Sequence, residues 1–117
     1  MTNPKKYDLE ERTLRFAKEV ISFVNRLPKS LSNVEIIKQL VRSSGSVGAN
    51  YIEANEALGK QDFKMRTKIC RKEAKESVYW LKLVEVNDEK KENARQQLIV
   101  EAAQLTKIFS SILEKSK

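Results

Sequence analysis

Basic side chains recur through the third quarter of this chain at intervals that a helix would bring together. At about 100° per residue, a helix beginning near residue 60 places six of them in one narrow sector. These are Lys60, Lys64, Lys68, Arg71, Lys75 and Lys82. Such a basic ridge can neutralise successive phosphates of a nucleic acid and release their counterions. The alternative is a solvated helix face, because no aromatic residue interrupts this sector for bases to stack on.

The distribution of charge favours the same segment. The chain has a net charge of +7. Residues 60–82 contain eight basic and three acidic residues, whereas residues 29–58 contain three of each. An excess of one sign on one segment indicates a polyanionic partner, although basic faces also serve solubility alone. RNA or DNA is therefore the candidate ligand of the basic ridge.

A pair of carboxylates, Glu73 and Glu76, lies beside Trp80 on the same predicted helix. Two carboxylates can perform acid–base chemistry or hold a metal, but di-iron helix bundles also need Glu-x-x-His motifs. The chain contains no histidine. The interpretation we favour is that the two carboxylates meet cations across a subunit boundary, where the indole N–H also finds a partner. The sequence thus predicts neither a metal nor a cofactor.

Enzymatic activity is not expected. Histidine, the commonest general base of enzymes, is absent from the sequence. No glycine-rich phosphate loop or nucleophile elbow is present. Cys70, the single cysteine, lies on a predicted core face and is interpreted as a small buried hydrophobe rather than a nucleophile. No signal peptide, disulfide or membrane span of about 18 apolar residues is indicated. We expect a cytoplasmic, non-membrane protein.

Four amphipathic helices are predicted to carry these residues within a single domain, 1–117. Few glycines and prolines and 33% charged residues favour an all-α class. Short connections favour an antiparallel up-down-up-down four-helix bundle. The helices are predicted at about 8–27, 33–58, 61–87 and 89–115. The core stripe of the first helix is predicted to contain Leu9, Thr13, Phe16, Val20, Phe23 and Leu27. That of the last helix is predicted to contain Leu98, Ala102, Leu105, Phe109 and Ile112.

Local signals predict where the first two helices begin and where the second ends. Asp8 with Glu11, and Ser32 with Glu35, have the spacing of capping boxes. Pro28 is expected to stop the first helix. Gly59 would follow the second helix at the C′ position.

The second helix is predicted to be the central one. One broad side carries Ile37, Leu40, Val41, Ser44, Val47, Gly48, Tyr51, Ile52, Asn55 and Leu58. Small residues let the axis of a neighbouring helix come closer than the usual 8–10 Å. The packing gained in this way must offset the loss of helix stability at Gly45 and Gly48, roughly 0.5–1 kcal/mol each. Asn50 and Asn55 are expected to hydrogen-bond across the core.

The outward side of the central helix carries Arg42, Ser46 and Glu53. These residues are interpreted as an ion-pair seam with another helix or subunit. The alternative is a recognition surface.

The third helix has two apolar sectors, although a monomeric bundle needs only one per helix. The first, facing the core, contains Phe63, Thr67, Cys70, Ala74, Ser77 and Leu81. The second is the predicted oligomer interface, with Met65, Ile69, Glu73, Glu76, Trp80 and Leu83. An apolar sector without a partner predicts a homo-oligomer.

Two stretches resemble the signatures of the four-helix-bundle proteins encoded in intervening sequences of bacterial 23S ribosomal RNA genes, the S23 ribosomal protein family. They are residues 39–54, QLVRSSGSVGANYIEA, and residues 72–81, KEAKESVYWL, together with Asp62-Phe63. Many family members have the sequence Asn-Ile-Ala-Glu-Gly at the position of residues 50–54, which are Asn-Tyr-Ile-Glu-Ala in this chain. This difference places the chain in a subgroup of the family. The resemblance implies a pentameric ring, nucleic-acid binding and a distant similarity to the accessory protein of diversity-generating retroelements.

Two hypotheses follow for the function. The first is a non-enzymatic, oligomeric helical bundle that binds nucleic acid, RNA rather than DNA, through repeated basic ridges. The second is a protein–protein assembly module that docks a partner such as a reverse transcriptase. Salt should weaken the first kind of association steeply and leave apolar docking nearly unchanged.

Overall fold

The computed structural model describes the backbone of residues 4–117 and the side chains of residues 9–117. Within these residues it contains helices and no strands, so the all-α class is confirmed. The helices are α1 Pro4–Val24, α2 Leu31–Asn55, α3 Lys60–Leu83 and α4 Glu89–Lys115. Helices adjacent in sequence pack together and α4 returns to α1, as in an up-down bundle.

The predicted apolar stripes form the core. The α1 stripe is buried from Leu9 to Leu27, and the α4 stripe is buried except for Ile112, which packs against the core while partly exposed. On α3, Phe63 at the start of the stripe is half-buried, and the rest of the stripe is buried. On α2 the prediction was correct for Leu40, Ser44, Val47 and Tyr51. Periodicity of 3.6 residues therefore located the core faces of α1, α3 and α4, but only part of that of α2, where Val41 and Ile52 are exposed.

The predicted start of each of the first two helices was wrong. Helix α1 already includes Pro4, upstream of Asp8, whose side chain lies outside the described residues. Helix α2 is capped by Ser30 rather than Ser32, because the Ser30 hydroxyl accepts a hydrogen bond from the Asn33 amide at 3.2 Å. Both serines precede an amide that they could cap, but α2 already begins at Leu31, which places Ser32 inside the helix.

The predicted ends of the first three helices were also too late. Helix α1 stops at Val24, and a tight turn follows in which the Leu27 amide donates to the Val24 carbonyl at 3.2 Å. Helix α2 stops at Asn55, so Leu58 is fully exposed instead of packed. Gly59 caps the start of α3 with an extended backbone, φ −154°, and is not a C′ residue of α2.

Asn33 joins the two connections at one end of the bundle and explains why α3 ends before residue 87. Its side chain is fully buried. The amide nitrogen Nδ2 donates to the carbonyls of Pro28 at 2.9 Å and Glu85 at 3.0 Å, and Oδ1 accepts from the Glu85 amide at 2.7 Å. Because both Glu85 backbone groups bind Asn33, they are not available to continue α3.

Gly48 marks a close approach of α1 to α2, as the small residues predicted. A Cβ atom at Gly48 would lie 2.9 Å from Thr13 Oγ1 and 3.2 Å from Thr13 Cβ. The Thr13 hydroxyl donates to the Leu9 and Glu10 carbonyls and is held in place. At Gly45, by contrast, a Cβ would meet nothing within 4 Å.

These two glycines form a matched pair for a stability measurement. We expect Gly45→Ala to raise the free energy of unfolding by about 0.5–1 kcal/mol, because alanine suits a helix better than glycine. Gly48→Ala should lower it by about 1 kcal/mol, because the clash with Thr13 outweighs that gain. Urea unfolding followed by circular dichroism measures both values, and shifts of the same sign would contradict the close approach.

Candidate nucleic-acid interface

A groove runs between α3 and α4 and encloses about 590 Å³. Helix α3 supplies most of its lining and α4 supplies two hydroxyl side chains. The lining residues are Lys68, Arg71, Lys72, Lys75, Glu76, Tyr79, Thr106 and Ser110. We call this surface the α3/α4 groove.

The structure brings together half of the predicted basic ridge. Lys68, Arg71 and Lys75 line the α3/α4 groove, at successive turns of α3. The other three ridge residues, Lys60, Lys64 and Lys82, lie on α3 outside the groove lining. At a rise of about 1.5 Å per residue, the stretch from Lys68 to Lys75 is about 10 Å long.

On α3, sequence reasoning missed two residues of the groove, Lys72 and Tyr79. Each lies four residues after a ridge member, Lys68 and Lys75 respectively, so the helical spacing could have identified both. The predicted sector was drawn too narrowly to include them. Tyr79 matters most, because the ridge was expected to lack an aromatic residue. Tyr79 lines the groove beside the ridge, and its side chain is 59% exposed.

Among the described residues, Glu76 is the one acidic residue that lines the groove, and Arg42 of α2 pairs with it. Arg42 Nη2 lies 3.2 Å from Glu76 Oε2, and Nη1 lies 3.3 Å from Glu73 Oε1. The hydrogen bond with Glu73 is the main cause that raises the pKa of Arg42. The Arg42 guanidinium therefore offsets the charge of Glu76, and the lysines and arginine of the lining keep the groove basic.

The Arg42 contacts also correct a prediction about Glu73 and Glu76. Their cation was expected from another subunit, but it comes from the neighbouring helix of the same chain. Arg42 can reach both because they lie one turn apart on α3 and face α2. The predicted ion-pair seam between α2 and another helix is confirmed for Arg42.

Comparison with known proteins bears on what this bundle is. The family model described as 23S rRNA-intervening sequence protein matches residues 5–111. The chain belongs to this family. A crystal structure at 1.70 Å resolution, of a protein with unknown function from the S23 ribosomal protein family of Bacteroides thetaiotaomicron VPI-5482, is similar to it with a TM-score of 0.81. The two chains are 27% identical over 94% of this chain and 98% of the other. Comparison with curated proteins gives no match.

The predicted oligomer interface on α3 is only partly exposed in this chain. Met65 and Leu83 are about half exposed, and Ile69 is half-buried. Trp80 is half-buried and packs against the core. The indole Nε1 is buried and has no hydrogen-bond partner within the described part of the chain.

Cys70 is buried, and the two asparagines of α2 form hydrogen bonds with side chains of neighbouring helices. Burial raises the pKa of the Cys70 thiol to about 12, so it stays neutral and poorly nucleophilic. Asn50 accepts from Arg66 Nη1 at 3.1 Å, and Asn55 donates to Glu10 Oε2 at 2.7 Å. Both asparagines therefore bind neighbouring helices, at half-buried edges of the bundle rather than inside the core.

A second surface of the bundle, between α1 and α2, is mostly apolar and was not predicted. We call it the α1/α2 face. It is centred on Leu14, Ala17, Gly45, Ala49 and Ile52 and encloses about 380 Å³. Leu14 is 55% exposed and Ile52 is 50% exposed. Sequence reasoning assigned Ile52 to the packed side of α2, whereas α2 is rotated so that Ser43 and Ala54 face inward.

No helix among the described residues is long and apolar enough to cross a lipid bilayer.

Proposed function

We propose that this family member is a non-enzymatic, cytoplasmic protein that binds nucleic acid in the α3/α4 groove. The observation that supports this function is the convergence of Lys68, Arg71, Lys72 and Lys75 on one groove. The stretch of helix that carries them is about 10 Å long, enough to contact a few consecutive phosphates of one strand. Contacts to phosphate alone give affinity without sequence preference.

RNA is the favoured ligand over DNA. The family description refers to 23S rRNA, which is consistent with an RNA ligand. The groove also offers the hydroxyls of Thr106 and Ser110 on α4, opposite the basic side chains. The Thr106 hydroxyl donates to the Ala102 carbonyl, so its oxygen remains able to accept. A ribose 2′-hydroxyl can donate to such an oxygen, and deoxyribose cannot.

A mobility-shift assay with RNA and DNA strands of the same sequence tests this proposal. At low salt the RNA should shift at lower protein concentration than the DNA. Equal shifts would remove the preference for RNA, and no shift with either strand would remove the function.

The alternative function is a protein–protein assembly module, with a reverse transcriptase as the partner that the family resemblance suggests. The α1/α2 face supports it, because an exposed apolar groove of this kind often marks an interface. Association through that face should be nearly independent of salt, unlike binding in the α3/α4 groove.

We also propose that the α1/α2 face binds a second copy of the chain. The face combines the exposed side chains of Leu14 and Ile52 with a cavity of about 380 Å³, and exposed apolar surface of this kind marks an interaction site. A pentameric ring, implied by the family resemblance, would repeat the α3/α4 groove and strengthen weak contacts by multivalency.

Light scattering at micromolar concentration measures this assembly. The wild-type protein should have about five times the chain mass of 13.5 kDa. Ile52→Glu should release monomers, because it buries an unpaired carboxylate in the contact. Val100→Glu is the matched control, since Val100 is similarly exposed, at 55%, but lies on α4. A monomeric wild-type protein would contradict self-association.

A further inference from the structure

Tyr79 has a chemistry that phosphate binding does not use. The ring lies one helical turn beyond Lys75 in the α3/α4 groove, and 59% of the side chain is exposed. An exposed aromatic ring among cations is the combination that proteins use to hold unpaired bases, with the cations on phosphates and the ring against a base. The Tyr79 ring therefore gives the groove a surface on which a base can stack.

Trp80 helps to position this ring. The Tyr79 and Trp80 ring centroids are 5.0 Å apart, with an edge-on angle of 76° between the planes. Trp80 in turn packs against the bundle core. Because one neighbour of the Tyr79 ring is fixed, the ring has less freedom than an isolated surface tyrosine and loses less entropy when a base stacks on it.

We propose that the α3/α4 groove selects single-stranded over double-stranded nucleic acid, because a base stacks on Tyr79 while Lys68, Arg71, Lys72 and Lys75 hold the phosphates beside it. This inference rests on the proposed function and adds the class of ligand. In a duplex the bases are already stacked on each other, so a duplex offers the groove its phosphates only. An unpaired strand offers phosphates and a free base face.

The expected size of the preference follows from known base–aromatic contacts. Stacking on one aromatic residue changes affinity by roughly tenfold or more. We therefore expect an unstructured RNA strand to bind roughly tenfold more tightly than a duplex of equal length at the same salt concentration. The Tyr79 hydroxyl is not needed for stacking, so a phenylalanine should serve as well.

Equilibrium binding of labelled single-stranded and duplex RNA to the full chain tests the inference. Tyr79→Leu should weaken single-strand binding roughly tenfold, to the level of the duplex, and should leave duplex binding unchanged. Tyr79→Phe should keep the wild-type preference. Because Tyr79 is largely exposed, both variants should fold, which circular dichroism verifies.

Trp80 provides a second readout, since it is the only tryptophan of the chain and touches Tyr79. Its fluorescence should change when single-stranded RNA is added to the wild type, and this change should shrink in Tyr79→Leu.

The outcomes separate this inference from the function on which it rests. If Tyr79→Leu leaves single-strand affinity unchanged, or weakens both ligands equally, the stacking proposal is overturned while nucleic-acid binding stands. If neither RNA binds the wild-type protein, both proposals are overturned.

Discussion

Replacement of Lys68, Arg71, Lys72 and Lys75 by glutamate is expected to weaken RNA binding by more than about a hundredfold at about 50 mM salt. Each substitution removes a cation from the α3/α4 groove and adds a charge that repels phosphate. All four side chains are exposed or half-buried, so the fold should persist. Filter binding or fluorescence anisotropy measures the affinity, and circular dichroism measures helicity.

The control for this variant changes net charge by the same amount elsewhere on the bundle. Lys18, Lys38, Lys90 and Lys115 are exposed and lie outside the α3/α4 groove. Their joint replacement by glutamate should weaken binding much less than the groove variant does. If the two variants lose affinity equally, the attraction belongs to the overall charge of the protein and the groove is not the site.

The second large effect concerns stability, at Asn33. We expect Asn33→Ala to lower the free energy of unfolding by about 3 kcal/mol, because three backbone groups lose their partner together. These groups are the carbonyls of Pro28 and Glu85 and the Glu85 amide. The substitution also loosens both connections at one end of the bundle, which the Asn33 side chain ties together.

Urea unfolding monitored by circular dichroism measures this loss. Asn93→Ala is the matched control, since Asn93 is exposed on α4 and its replacement should change stability by less than about 0.5 kcal/mol. A change below about 1 kcal/mol for Asn33→Ala would show that water replaces the three hydrogen bonds without cost.

The number of helices, their order and most core positions could be predicted from the sequence. These properties depend on a local period, and residues such as Phe16, Val47 and Leu105 repeat it without interruption. Helix ends were less predictable because competing signals lie close together. Ser30 and Ser32 both suit an N-cap, and Gly59 suits both the end of α2 and the start of α3.

The contacts between helices could not be predicted, because they depend on how each helix is rotated. Asn33 and Glu85 are 52 residues apart, and Arg42 and Glu73 are 31 apart. A rotation of α2 decides that Arg42 meets two carboxylates of its own chain and that Ile52 remains exposed. The rotation of α2 cannot be predicted from a local sequence pattern, because it results from packing against α1 and α3 together.

The candidate site was half predictable for the same reason. Spacing on α3 identified Lys68, Arg71 and Lys75, since they share one helix. Thr106 and Ser110 belong to α4, so their part in the groove required the tertiary structure. Tyr79 lies between these cases: its spacing from Lys75 was visible, but its exposure beside the groove was not.

The salt dependence of RNA binding to the wild-type protein tests the central claim most directly. Contacts from three or four groove cations to a single strand predict that affinity falls about 20- to 50-fold when salt rises from about 50 to 200 mM. A fall of this size, measured by fluorescence anisotropy, is the result that we expect. RNA binding that does not change with salt, or its absence at about 50 mM, would contradict a phosphate-binding groove between α3 and α4.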